Sequence, residues 1–596
     1  MESALTASLT KLTRQYTAPL ILELDLTEGI LEARPSDPLS AVLSRHHAAI
    51  ADVVTGLRQA RADDRVKALV VKVGGRPIGL GMVQELRAAV KRFREAGKLT
   101  VAWAESFGEF STGNVPYYLA TAFETIYLQP SGDLGLTGLA VERVFLRGAL
   151  DKLGVTFDVG ARYEYKSAAE QLTERGFSGP AREATERMTK SVTEQLTQAI
   201  AERGQISAEA AVSLINSGPF LADQARAAGL VDALGYRDEV YAWVRKRAGA
   251  GATLLYLSRY QRSRELLHRA KRMTAPRQQS VALIHATGAI RRGRSGRSPM
   301  SGAAMGSDSV TATLRAAVAD PRIQAILLRV NSPGGSYVAS DSIWREVVRA
   351  RNAGKPVVVS MSDVAASGGY YISMAADAIV AQPGTVTGSI GVVFGKPALG
   401  EMLGKAGVTT DSVVEGEHAA MFSTTHPFTD AEWVLVNNWL DHVYADFTGK
   451  VAAGRGLSAK RVHELARGRV WTGADALECG LIDEIGGLED AAAIARRRAG
   501  LPDSAPLDPF PGVNPLDRLR PALSSEDRRA AAAIAGHAPA AWADLAGAAA
   551  AGITGVAGAV AASLFAESWG PVWQLAARCG LPQDGPLMLP GSWTFH

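Results

Sequence analysis

The chain repeats itself, and that limits its fold more than any composition does. YYLATAFETIYLQP, beginning at Tyr117, returns 253 residues later as YYISMAADAIVAQP, beginning at Tyr370. Gly135 and Gly138 return as Gly388 and Gly391 at the same offset. RVKALVVKV from Arg65 matches RIQAILLRV from Arg322, and PFLADQARAAGLVDALG near Pro219 matches VWTGADALECGLIDEIG near Val470. Self-similarity on this scale is the mark of one structural unit used twice. Within the first copy, an alternating segment from Pro19 to Leu26 reads as a strand and Ile50 to Ala60 as a helix. Val66 to Val73 and Leu99 to Ala104 read as strands on either side of an amphipathic helix from Val83 to Ala96. Strands alternating with helices predict parallel βαβ units in an α/β fold. The expected organisation is a lead-in over 1–18, one repeat over 19–244, a basic linker over 245–277, a second repeat over 278–500 and an Ala/Pro-rich tail over 501–596.

Composition narrows the function. Of 596 residues, 47% are hydrophobic and 21% charged, as in a folded chain with room for sizeable cores. A net charge of +4 is too mild to describe a nucleic-acid surface. Two cysteines, Cys479 and Cys579, exclude a disulfide framework. The ten histidines are scattered, and no Cys/His cluster has metal-ligand spacing, so no metal or other cofactor is expected.

The two copies differ where chemistry would sit. In the second, the β-branched run Val357-Val358-Val359 reads as a buried strand, Asp363-Val364-Ala365-Ala366-Ser367-Gly368-Gly369 follows, and a helix pattern runs from about Tyr370 to Ala376. Ser367 then stands as a small exposed hydroxyl where a strand turns into a helix. The N–H groups of a helix start could meet an oxyanion there. Upstream, the strand Ile326 to Val330 ends in Asn331-Ser332-Pro333-Gly334-Gly335, a second turn rich in backbone donors. In the first copy the position of Ser367 is held by Asn114, and Gly368 and Gly369 are replaced by Val115 and Pro116. A tightly packed small-residue turn without chemistry would read the same way from these residues alone.

The ordered set NSPGG, AASGG and PGTVTGSIGV resembles the signal peptide peptidase (protease IV) family in its long two-repeat form, over nearly all of residues 20 to 500. The wider clan includes the Clp protease proteolytic subunit and the crotonases. The resemblance implies a tandem duplication of a Clp protease/crotonase-like domain and a serine endopeptidase with a Ser-Lys dyad. Ser367 would be the nucleophile and the backbone N–H groups of Gly334 and Gly368 the oxyanion donors. The family's base is a lysine from the first repeat, and here the YKSA stretch supplies Lys166 in register. The second repeat has no lysine in the matching stretch around Met421, so neither repeat should act alone. The resemblance also places a hydroxyl beside the lysine, that of Ser389.

A lysine is a base only when neutral. Its free pKa of about 10.4 makes neutrality at pH 7 cost roughly 4.6 kcal/mol unless the site lowers that value. Burial lowers it. Lys166 is therefore expected to be desolvated and free of carboxylate partners, with Glu164 and Glu170 pointing away.

The resemblance further implies apolar peptide substrates such as signal-peptide remnants, a homo-oligomer (a tetramer for this form) and a membrane-associated location, with a cytoplasmic one as the alternative. The N-terminal stretch has no apolar core of signal-peptide length. Leu545 to Ala566 is uncharged and long enough to span a bilayer, but it is mostly Ala and Gly, which insert weakly and suit a packed or surface helix as well. The basic residues between Arg259 and Arg277, and Arg291 to Arg297, read as a solvated linker and loop or as a surface for anionic headgroups. Residues 501–540 read as partly disordered. Two other functions fit the same turns: a crotonase-like acyl-CoA enzyme, and a non-catalytic scaffold derived from the peptidase.

Overall fold

The structure is a computed structural model. It describes residues 18–33, 47–249, 251–274, 278–298, 302–511 and 587–588. The expectations for the lead-in, for Leu545 to Ala566, for Cys579 and for most of the tail fall outside the described residues.

Two sheets with the same strand order carry the chain. The first runs Ala233–Leu234, Thr125–Leu128, Leu99–Ala104, Val66–Lys72, Leu20–Asp25 and Thr253–Tyr256, every neighbouring pair parallel. The second repeats the order with Glu484–Ile485, Ala378–Ala381, Val357–Ala366, Ile323–Ser332, Ser280–Thr287 and Leu507–Pro509, also parallel. Val386–Gly388 joins the far end of Val357–Ala366, and Val470–Thr472 closes that edge antiparallel. The architecture is the tandem α/β duplication that the repeated sequence predicts. Each repeat draws an edge strand from a segment read as lying outside it, the first from the linker and the second from the tail. Thr253–Tyr256 lies in the basic stretch after 244, and Leu507–Pro509 lies past residue 500. The helix Leu257–Thr274 follows the first of these and packs back on the first repeat through Leu257 and Tyr260.

The strands are buried on both faces, so they read as near-continuous apolar runs. Leu69, Val71, Ala102 and Ile126 face one core of the first repeat, while Ala68, Val70, Val101 and Trp103 face another. The second repeat does the same with Ile326, Leu328, Val357 and Val359 against Ala325, Leu327 and Val358.

The repeats are tied together by exchanged elements. Thr156–Arg162, from the first half, pairs antiparallel over its whole length with Val392–Ala398 of the second. The long helix Asp430–Arg455 covers this ribbon; it begins with a capping box in which Thr429 Oγ1 accepts from Glu432 N and Glu432 Oε2 accepts from Thr429 N. The helix expected over Val83 to Ala96 spans Leu80–Glu95, because its start is capped from the other repeat: Met82 N donates to Asp363 Oδ1 at 2.9 Å. The helix expected from Tyr370 to Ala376 is one turn, Gly368–Tyr371. The chain leaves it in turns so that Asp377 N can reach Val357 O at 2.8 Å and the next strand can join the sheet. Among the described residues no helix is long and apolar enough to cross a membrane.

Candidate active site

Ser367 terminates the strand Val357–Ala366 and caps the turn Gly368–Tyr371. Its backbone is at φ 54°, ψ −115°, a region that side chains other than glycine occupy at a cost. The conformation is held by Ser367 N donating to Gly388 O at 2.8 Å and by Tyr371 N donating to Ser367 O at 2.8 Å. A nucleophile on a sharp strand-to-helix turn is a recurring device of hydrolases, because the turn pushes the side chain out of the sheet. The side chain is not the exposed hydroxyl expected from the sequence: Ser367 is fully buried, wedged between the turn that begins at Ser332 and the Gly388-Ser389 segment.

The two glycine turns meet. A Cβ added at Gly368 would stand 3.1 Å from Gly334 Cα and 3.1 Å from Gly335 N; one added at Gly369 would stand 2.6 Å from Ser332 O. Only glycine allows this approach, and Gly334 itself sits at φ +106°. Gly334 N donates to Ser332 Oγ at 3.2 Å, and Ser332 Oγ donates to Gly288 O at 2.7 Å. Along the same turn, the backbone of Leu587–Met588 runs antiparallel to Gly334–Gly335.

Lys166 arrives from the other repeat. The strand Thr156–Arg162 carries the chain to the second repeat, and a loop then turns Lys166 inward. Nζ lies 2.8 Å from Ser367 Oγ, 2.9 Å from Ser389 O and 3.0 Å from Ser389 Oγ. Lys166 and both serines are buried. Burial drives the Lys166 ammonium pKa well below its ordinary value, with no carboxylate to oppose the shift. Glu164 turns outward to Arg467, 2.7 Å away, and Glu170 accepts from Ser178 Oγ at 2.5 Å. A neutral amine has two N–H bonds and one lone pair. Ser389 O and Ser389 Oγ take the two N–H bonds, which leaves the lone pair for the Ser367 hydroxyl.

The sequence did not point to the residues that hold this loop. Arg467 O accepts from Tyr163 N and Tyr165 N, both at 3.1 Å, and Gly468 N donates to Ile390 O at 2.8 Å. Arg467 and Gly468 thus clamp the Lys166 loop to the segment that carries Ser389. Arg-Gly-Arg between two apolar runs gives no hint of this, because its role is made entirely by long-range contact. In the first repeat, Asn114 occupies the place of Ser367 with both ends of its amide engaged: Nδ2 donates to Gly138 O at 2.7 Å and Oδ1 accepts from Thr137 N at 3.2 Å. No histidine is among the hydrogen-bond partners of Ser367 in the described residues. His285, half-buried two strands away, has its pKa pushed down to about 4 by desolvation.

The geometry can be set beside known proteins. The profile described as Peptidase family S49 matches residues 92–251 and 349–502, one match in each repeat. The chain is 32% identical over 448 residues to the chloroplastic serine protease SPPA of Arabidopsis thaliana, covering 74% of this chain and 65% of the relative. It is 31% identical over 453 residues to Protease 4 of Haemophilus influenzae, covering 74% and 71%, and 33% identical over 459 residues to Protease 4 of Salmonella typhi, covering 76% and 72%. The chain thus spans a little under two thirds of the plant relative's length and somewhat more of the two bacterial ones. Among solved structures, a ClpP1 variant from Listeria monocytogenes matches 35% of this chain and 94% of its own at 15% identity, with a TM-score of 0.23, a likeness too slight to bear on the fold. Matched in both repeats by its profile, and across most of two bacterial Protease 4 chains, the chain belongs to peptidase family S49, a family of serine peptidases.

Proposed function

We propose that the chain is a Ser-Lys endopeptidase that cleaves extended apolar peptides such as signal-peptide remnants. The observation that carries this reading is the 2.8 Å contact between Lys166 Nζ and Ser367 Oγ in a buried setting without a carboxylate. Lys166 accepts the Ser367 proton as Oγ attacks the peptide carbonyl, and then gives it to the leaving amine. Ser389 fixes the amine through its carbonyl and hydroxyl. The oxyanion is met by Gly368 N–H and by Gly334 N–H, the latter exchanging Ser332 Oγ for the developing charge. Water then hydrolyses the acyl-enzyme.

The strand pairing of Leu587–Met588 with Gly334–Gly335 supports an extended substrate, since it is the way a peptide adds to an open sheet edge. The resemblance to the two-repeat form supports a homotetramer at a membrane surface. An open groove of about 1030 Å³ along the helix Gly179–Gly204, flanked by the exposed Ile206 and Val212, offers a face for assembly.

The test is labelling with a serine-directed fluorophosphonate beside hydrolysis of an apolar peptide. Label on Ser367 in the unaltered protein, absent from Ser367→Ala and Lys166→Ala, is the expected result. Label that persists in Ser367→Ala would overturn the assignment.

A further inference from the structure

The most heavily buried charge among the described residues of the second repeat lies on a strand that holds the site, and its charged partners come from the first repeat. Arg329, on Ile323–Ser332, has no exposed surface. Its Nε donates to Glu32 Oε1 at 2.6 Å and its Nη2 to Glu85 Oε2 at 2.7 Å. Its remaining bonds go to Ser360 Oγ at 2.8 Å and Ser362 Oγ at 3.0 Å on the strand that ends in Ser367. Burial by itself would raise the Glu32 carboxyl pKa; the Arg329 charge and the hydrogen bonds from Arg329 and Ser362 outweigh it and hold Glu32 ionised. The second Glu32 oxygen accepts from Ser362 Oγ and, at 3.2 Å, from Asn331 Nδ2.

Asn331 stands where the backbone ladder is interrupted. The pairing of Ile323–Ser332 with Val357–Ala366 slips register between Val330 and Ser332. Across that slip, Val364 N donates to Asn331 Oδ1 at 3.3 Å, a side-chain bond in place of a ladder bond. Asn331 is three residues before Gly334, and Val364 is three residues before Ser367. The backbone pairing resumes at Ser332 with Ala365, so this one amide side chain bridges the slip immediately before the site, and Glu32 orients that amide.

We propose that Glu32 is a positioning residue for catalysis: through Asn331, Ser362 and Arg329 it sets the spacing between the Ser367 strand and the Gly334 turn. The first repeat then governs the second repeat's oxyanion geometry in addition to supplying Lys166. The inference rests on the Ser-Lys reading given above.

Glu32→Gln tests it with nearly unchanged shape. An amide cannot accept on both sides, so it must lose either the Arg329 contact or the Ser362 and Asn331 contacts. Asn331→Ala removes the bridge and leaves every buried charge in place; it decides the matter alone if Glu32→Gln does not fold. Fluorophosphonate labelling gives both the end-point number of reactive sites and the rate per site, and peptide hydrolysis gives kcat and KM. The expected result is full end-point labelling, a rate per site and a kcat lowered by about 10- to 100-fold, as for small misplacements of reacting groups, an unchanged KM and an unchanged pH midpoint. A purely structural role would instead reduce the number of labelled sites and leave the rate per site at the wild-type value; that result overturns the inference while the dyad reading stands. Wild-type rates in both variants overturn it too. An unaltered protein that takes no label at Ser367 overturns the dyad reading and this inference with it.

Discussion

Gly468 lies flush against Lys166. A Cβ at position 468 would stand 2.5 Å from Lys166 Cβ, 2.5 Å from its backbone N and 2.6 Å from its Cα, and Gly468 holds φ +86°. Both facts exclude a side chain, and the atoms in the way are two backbone atoms and a Cβ whose position the backbone fixes, so none can swing aside. Gly468→Ala must therefore push the lysine loop off Ser389 and Ser367. We expect kcat to fall by about 100-fold, the loss typical of a displacement near 1 Å, with KM little changed and the fold retained by circular dichroism. Full activity in Gly468→Ala would mean that the loop has slack the contacts do not show.

Ser367→Ala and Lys166→Ala should each lower kcat by at least about 10⁴-fold, because a nucleophile and its base act as a unit. Lys166→Arg should fail equally, since a guanidinium keeps its proton. The check is a progress curve on an apolar peptide, with far-UV circular dichroism to confirm folding. An active Lys166→Arg variant would end the lysine-base mechanism.

These predictions differ in what the sequence could reveal. Ser367 and the Gly334 and Gly368 turns carry a local pattern of their own, sharpened by the duplication that exposes Asn114 as the odd residue out, whereas Lys166 and Ser389 enter only through the family resemblance. The parallel βαβ order is legible from apolar runs alternating with amphipathic helices. Gly468, Arg467 and Glu32 are not legible. Each acts by touching a residue hundreds of positions away, and its own neighbours give it no pattern. The outer strands Thr253–Tyr256 and Leu507–Pro509 were hidden for a related reason: at four and three residues, in stretches rich in Arg or Pro, their strand character comes from the sheet edge they join.

Lys166 should cost stability in return for reactivity. Its folded pKa is depressed by burial, so between that value and about 10.4 the unfolded chain binds a proton that the folded chain does not. Stability therefore rises with pH through this window and is penalised below it. Lys166→Met keeps the volume and removes the penalty. We expect Tm at pH 7 to be higher than that of the unaltered protein and the difference to shrink as pH approaches 10. The measurement is Tm against pH for both proteins; a lower Tm for Lys166→Met at pH 7 would contradict a neutral buried lysine.

The pH dependence of catalysis carries the same sign. With Lys166 as the proposed base, the free enzyme would be competent only when Lys166 has lost its proton, so kcat/KM should rise with pH. The midpoint should lie well below 10.4 because burial, unopposed by any carboxylate, disfavours the ammonium. A histidine base would titrate near 6.5 and leave the rate flat above about pH 8. Ser389 supplies two of the three contacts to Nζ, one through its carbonyl and one through its hydroxyl. Ser389→Ala removes only the hydroxyl, so the amine keeps one anchor and loses part of its orientation. The expected effect is a drop in kcat/KM of about 10- to 100-fold without abolition, as for a positioned group made loose. The backbone offers no compensation: Ser389 sits at φ 51°, a conformation that alanine bears no better than serine. The experiment is a pH–rate series on an apolar peptide, unaltered protein against Ser389→Ala. A limb centred near 6.5 would point to a different base, and a Ser389→Ala profile that overlays the unaltered one would remove Ser389 from the site.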